Sequence, residues 1–154
     1  MVHKMFEHDY KKYPELTNTE LEVLNFSSPH TQIEEDFLAT VVKVHDGDTI
    51  TLRTNFRDFD FPLRLLDIDA PELNEEGGEE SKKWLEDQIL DAQVEVLINK
   101  NNRVGKFGRL LGKIFYKGLI LNDMSMMLGY SKPFASRDEG EIPTSSKYFL
   151  EGAI

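Results

Sequence analysis

Phe37-Leu38-Ala39-Thr40-Val41-Val42-Lys43-Val44-His45, followed by Asp46-Gly47-Asp48 and then Thr49-Ile50-Thr51-Leu52-Arg53, is the stretch on which the fold turns. Both flanks are rich in β-branched residues, and Asp46-Gly47 between them is a strong hairpin signal. Two antiparallel strands with an acidic tip are therefore expected. Outward from this hairpin, Phe59 to Ile68 reads as a third strand, stopped by Pro71, which has no N–H to give a ladder. Asn74 to Glu80 is an acidic, glycine-containing loop. Ser81 to Ala92 then carries a helical apolar face of Trp84, Leu85, Ile89 and Leu90. Val94 to Ile98 and Leu110 to Tyr116 follow as strands, the latter turned at Lys117-Gly118. Asn122 is expected to cap a short helix through Met127 that Gly129 ends.

Three strands, a helix, two strands and a small terminal helix match a five-stranded Greek-key barrel of the OB type, an α+β fold. The barrel is expected over residues 37–134, with an N-terminal extension over 1–36 and a C-terminal tail over 135–154. The extension is polar, broken by Pro14 and Pro29. Its best element is a short helix in which Thr19 and Glu22 form a capping-box pattern ahead of Val23, Leu24 and Phe26. It reads either as an appendage packed on the barrel or as a solvated arm for self-association or a protein partner.

The 154 residues suit one domain with one sizeable core. With no cysteine, disulfides, zinc-thiolate sites and thiol nucleophiles are excluded, so a metal must be held by oxygen or imidazole. The chain as given shows no signal peptide and no stretch of membrane-spanning length, which makes a cytoplasmic protein without membrane contact the default expectation and leaves a secreted form open. A net charge of −10 argues against coating nucleic acid by bulk attraction. The charge is unevenly spread, however. Residues 1–36 carry 3 basic and 8 acidic side chains, whereas Lys100, Arg103, Lys106, Arg109, Lys113 and Lys117 follow one another with no acidic residue between Asn99 and Asn122.

Three strings carry chemistry. Asp46-Gly47-Asp48-Thr49 serves as a turn and can also bring Asp48 to a strand mouth, where its carboxylate could share a cation with Asp69. In Arg64-Leu65-Leu66-Asp67-Ile68-Asp69-Ala70-Pro71-Glu72, a guanidinium among leucines needs an anionic partner or an outward position. Arg64 and Asp69 are five apart and would face opposite sides of a perfect strand, so the strand must end or bend before Asp69, a bend expected from Pro71. Lys106-Phe107-Gly108-Arg109 opens the fifth strand as a basic turn. Two guanidiniums that neutralise a phosphate, aspartates that hold a hard cation and a glutamate that orients water together suit metal-assisted cleavage of a phosphodiester. The four histidines show no metal-ligand spacing, and His45 reads as a turn residue.

These strings, in this order on this strand plan, resemble the staphylococcal nuclease (thermonuclease) family over about Phe37 to Lys132. The resemblance implies a calcium-dependent nuclease that hydrolyses DNA and RNA and leaves 3′-phosphate and 5′-hydroxyl ends. It implies Ca2+ ligands at Asp48, Asp69 and the carbonyl of Ala70, a catalytic glutamate at Glu72 and phosphate-binding arginines at Arg64 and Arg109. Lys106, Phe107 and Phe134 are the further expected substrate contacts. Ala70 stands in place of the prototype's threonine, Phe107 in place of a tyrosine, and Ser131-Lys132-Pro133-Phe134 lacks the tyrosines that flank the base. The alternative is a non-catalytic OB module that binds nucleic acid or protein, since such domains occur in the same family. They usually lose ligands or arginines, and this chain retains all five charged positions.

Overall fold

A computed structural model describes residues 14–16, 31–105 and 108–134. The expected helix over 19–26 and the tail from residue 135 lie outside the described residues. Five strands, β1 (Phe37–Asp46), β2 (Thr49–Arg53), β3 (Phe61–Leu65), β5 (Gln93–Leu97) and β6 (Leu110–Tyr116), form the wall of a barrel. Hydrogen bonding runs in the order β3-β2-β1-β5-β6, and a parallel β3–β6 pairing closes it. β1 spans both halves of the barrel. Its first residues pair with β5, from Phe37 opposite Val96 to Thr40 opposite Gln93, and its remainder pairs with β2.

The burial pattern of β1 explains how one strand serves two walls. Ala39 and Val41 are buried two residues apart, but the next buried side chain is Val44, three further on. The register slips between Val41 and Lys43, so a bulge resets the alternation and turns the strand. A second irregularity between Val44 and Asp46 leads into the tip. The two-residue loop is Gly47-Asp48, one residue later than the Asp46-Gly47 signal implies, because Asp46 still pairs with Thr49.

The third strand is shorter than its sequence suggests. β3 ends at Leu65, and a separate two-residue strand β4 (Ile68–Asp69) follows a turn in which Asp67 adopts φ 67°. The expected bend is present, but it lies at Leu66-Asp67, upstream of Pro71. Aspartate tolerates the left-handed conformation better than most residues, which is why the chain can turn there. The helix α1 (Gly78–Ile89) begins three residues before Ser81, because Gly77 at φ 85° provides the entry. β7 (Leu119–Ile120), α2 (Leu121–Met127) and β8 (Lys132–Pro133) complete the described chain, with β8 antiparallel to β4.

The core is the barrel interior plus one face of α1, with Val41, Ile50, Leu52, Leu63, Leu65, Leu85, Ile89, Val96, Leu110 and Ile114 buried in one cluster. Complete burial of such side chains contributes about 1.5–3 kcal/mol each, and this drives closure. Asn122 is not the cap of α2, which starts one residue earlier with no side-chain cap. Asn122 is instead fully buried, accepting from the Ile114 N–H at 2.9 Å and donating to Leu66 O at 2.8 Å. A buried amide must be satisfied, and the backbone of β6 and of the turn after β3 offers it both a donor and an acceptor. No helix among the described residues is long and apolar enough to cross a membrane.

Candidate active site

The tip of the β1–β2 hairpin, the end of β3 and β4 meet at one mouth of the barrel. Leu65 N–H donates to Asp48 O at 2.8 Å, which fastens the hairpin tip to β3. Asp48 N–H donates to Asp46 Oδ1 at 3.0 Å, so the turn is held by its own first residue. Gly47 is needed for space: a Cβ there would lie 1.9 Å from Ser81 Oγ and 2.7 Å from Ala70 Cβ. The hairpin tip therefore packs directly on the start of α1 and on the strand that carries Asp69.

Arg64 organises the mouth. It sits opposite Thr49 on β2 and Leu111 on β6, and it points out of the core between them. Nη1 donates to Leu65 O at 3.2 Å and Ile68 O at 3.1 Å, and Nη2 donates to Asp48 Oδ2 at 3.1 Å. Nη2 also lies 3.5 Å from Asp69 Oδ1. The turn at Asp67 is what allows both aspartates to reach one guanidinium. Phe134 lies beyond β8 with its ring 5.5 Å from the Arg64 guanidinium carbon, and its N–H donates to Asp67 O at 2.9 Å.

Asp48 Oδ2 also accepts the Ala70 N–H at 2.9 Å, while Oδ1 accepts Thr49 Oγ1 at 3.1 Å. Burial pushes the Asp48 carboxyl above its usual range, and the Arg64 guanidinium and the Ala70 N–H oppose that rise. Asp69 is more open, with 38% of its side chain exposed. Glu72 follows on an exposed loop rolled tightly on itself: its N–H donates to Glu75 Oε1 at 2.7 Å, and Glu75 N–H donates back to Glu72 O at 2.9 Å. A Cβ on Gly78 would fall 1.9 Å from Glu72 O, so the start of α1 lies directly under this turn. Among the described residues the Glu72 carboxylate has no hydrogen-bond or ion-pair partner. Asp69, Glu72, Glu75, Tyr130 and Lys132 line one cleft of ≈ 610 Å3.

Whether this mouth suits a hard cation is decided by its oxygens. No group of three or more carboxylate or imidazole side chains that could hold a metal occurs among the described residues. Two carboxylates do converge, because both reach the same Arg64 nitrogen. Each carboxylate oxygen has two lone pairs, so Asp48 Oδ1 keeps one and Asp69 Oδ2 keeps both. A calcium-sized ion, which accepts six to eight oxygens in irregular geometry, fits two such carboxylates supplemented by backbone carbonyl and water.

Arg109 stands one residue before β6. Leu111 is opposite Arg64, and Arg109 precedes Leu111 by two residues in the chain, just outside the strand. Its guanidinium makes no hydrogen bond or ion pair among the described residues, unlike that of Arg64. Lys106 and Phe107 lie outside the described residues. The basic run is less of a surface patch than the sequence implies: Arg103 is only 2% exposed, and Lys113 Nζ lies 3.8 Å from Asp67. His45, expected as a turn residue, lies instead within β1, its Nε2 2.7 Å from Thr51 Oγ1 across the hairpin.

The family described as staphylococcal nuclease homologue matches residues 62–141, just over half of the chain. The chain belongs to the staphylococcal nuclease family. The matched span carries Arg64, Asp69, Glu72 and Arg109, and the hairpin with Asp48 precedes it. A micrococcal nuclease of Shigella flexneri is 35% identical over 80 residues, covering 52% of this chain and 43% of that protein. An uncharacterized endonuclease of Haemophilus influenzae is 34% identical over 82 residues, 53% of this chain and 44% of that protein. The chain spans less than half the length of these curated relatives. Asp48, Arg64, Asp69, Glu72 and Arg109 are signalled by the charged strings of the sequence. Tyr130, which stacks on Trp84 with ring centroids 5.2 Å apart, and Glu75 carry no such signal and emerge only with the tertiary structure.

Proposed function

We propose that this chain is a calcium-dependent nuclease that hydrolyses phosphodiester bonds of DNA and RNA and leaves 3′-phosphate and 5′-hydroxyl ends. The observation that carries this reading is the convergence of Asp48 and Asp69 on Arg64, beside a cleft into which Glu72 projects unpaired among the described residues. Asp48, Asp69 and the Ala70 carbonyl would hold Ca2+, which supplies Lewis-acid polarisation of a phosphate oxygen when bound. Arg64, fixed by two carbonyls and two carboxylates, and Arg109, two residues before the Leu111 that faces Arg64 and with its guanidinium unpaired among the described residues, neutralise charge on the phosphate as the fifth oxygen arrives. Preorganised donors of this kind contribute about 3 kcal/mol each to the transition state.

Glu72 orients a water for in-line attack on phosphorus and takes its proton. The new P–O bond forms as the bond from phosphorus to the 5′ oxygen breaks, and that oxygen leaves as a hydroxyl after taking a proton from solvent. The 3′ side keeps the phosphate. Tyr130 lines the cleft and Phe134 lies against Arg64 beside it, so each offers a ring on which a base can stack.

Hydrolysis of fluorescent single-stranded DNA with added Ca2+, against an EGTA control and Glu72→Gln, tests the reading. Calcium-dependent cutting that is lost in the variant, with melting unchanged, is the expected result. Retention of the strand without cutting would instead identify a binding module.

A further inference from the structure

The N-terminal segment contributes a buried carboxylate that lies outside the apolar core cluster. Glu15 is fully buried, 42 residues before Arg57 and 88 before Arg103, both of which are also almost fully buried beside it. Its Oε1 accepts from Arg57 Nη2 at 2.9 Å, and its Oε2 accepts from the Ile33 N–H at 3.0 Å and lies 3.7 Å from Arg103 Nη2. Arg103 Nη1 donates to the adjoining Leu16 O at 2.7 Å. Arg57 is fixed in turn by Thr31 O at 2.7 Å and by the Phe61 ring, whose centroid lies 4.5 Å from its guanidinium carbon.

This cluster grips the connection that delivers Arg109. Arg103 O accepts the Leu111 N–H at 2.9 Å, Val104 bridges Leu110, and Gly105 N–H donates to Arg109 O at 2.8 Å. Arg103 and Arg109 therefore stand at the two sides of one hairpin-like connection between β5 and β6. Glu15 holds it twice. Its carboxylate faces Arg103 on one side, and its backbone N–H donates to Gly108 O at 2.9 Å immediately before Arg109 on the other. A carboxylate on a separate segment, buried between two arginines, is an expensive arrangement for ordinary packing, since an apolar residue of similar volume is often as stable. The directional restraint it places on one connection is what an apolar residue could not provide.

We infer that Glu15 is a positioning residue for the reaction: by clamping Arg103 and Gly108 it fixes the backbone that presents Arg109 to the phosphate. The inference rests on the proposed nuclease reading for its chemical consequence and on the ion pair and hydrogen bonds above for its geometric one. Arg109 has no side-chain partner among the described residues, so its placement depends on the backbone beneath it. A misplacement of about 1 Å can cost about 100-fold in rate.

The test compares wild type, Glu15→Gln, Arg109→Ala and the double variant by kcat and KM on single-stranded DNA, with hydrogen exchange read at the amides of Gly105 and Leu111. Arg103→Met accompanies them, because it breaks the clamp yet leaves Glu15 paired with Arg57, and it decides the matter if Glu15→Gln does not fold. The expected result is a fall in kcat of about 10- to 100-fold for Glu15→Gln or Arg103→Met, with faster exchange at Gly105 and Leu111 and unchanged exchange at Val44 and Ile50. In the Arg109→Ala background the same substitution should change kcat by no more than about 2-fold, the margin within which independent effects add. Equal fractional losses in both backgrounds, tracking the folded fraction, overturn the inference, as does unaltered exchange at Gly105 and Leu111. If wild type itself cuts nothing, the nuclease reading fails, and the exchange data still decide whether Glu15 holds this connection.

Discussion

Arg64→Lys separates charge from geometry at the barrel mouth. A lysine keeps a cation near Asp48 and Asp69, but its single ammonium cannot stand in for both Nη2, which serves those carboxylates, and Nη1, which donates to Leu65 O and Ile68 O at 3.2 and 3.1 Å. Two hydrogen bonds at about 1 kcal/mol each set the expected loss of stability at about 2 kcal/mol. For a chain of this size each kcal/mol is about 2–4 °C, so the melting temperature should fall by about 4–8 °C. Urea denaturation of wild type, Arg64→Lys, Asp48→Asn and the double variant measures both the loss and the coupling. The coupling between Arg64 and Asp48 should exceed about 0.5 kcal/mol, since the two groups are in contact. Turnover of single-stranded DNA should fall by about 100-fold or more, the cost of losing one preorganised donor. A variant within about 0.5 kcal/mol of wild type, or additive with Asp48→Asn, refutes the view that the fork organises this mouth.

Gly47→Ala should destabilise by about 1–3 kcal/mol, because its Cβ would lie 1.9 Å from Ser81 Oγ; thermal melts of this variant and of Gly47→Ala/Ser81→Ala measure the loss and its partial relief. Ca2+ at about 100 times its dissociation constant should raise unfolding free energy by about 2.7 kcal/mol, read by calorimetry. That gain should disappear in Asp69→Asn and weaken at acid pH, where Asp48, pushed up by burial, takes a proton in competition with the ion. Burial, Lys43 and Lys82 lower the His45 pKa from its ordinary 6.5, so the unfolded chain binds this proton more readily than the native one. The increment that His45 contributes to native stability should therefore fall as pH drops below 6.5, and His45→Gln should lack that pH-dependent increment; denaturation at about pH 7.5 and about pH 5.5 compares the two.

The hairpin, the strand from Leu110 to Tyr116 and the helix were legible because each rests on a local rule: period-two burial, turn residues, a 3.6-residue apolar face. The same rules misplace Asn122, whose type fits a helix cap but whose burial beside Leu66 and Ile114 gives it stronger obligations inside. They also misread Arg103 as surface charge. Its partner Glu15 is 88 residues away in sequence, and no local pattern announces an ion pair across that separation.

By itself, the sequence determined the barrel's strand and helix inventory, the identities of the charged groups, and the requirement that the chain break between Arg64 and Asp69, because parity on a strand admits no other way for them to meet. Tertiary structure alone decided where that break falls, which carboxylates share the Arg64 guanidinium, and that Glu15 reaches under the connection bearing Arg109. Contacts of this second kind depend on chain closure, in which the parallel pairing of β3 with β6 brings Arg64 level with Leu111 and two residues from Arg109. Closure of that pair is set by packing of the whole core, a quantity spread over many residues rather than written in any one segment.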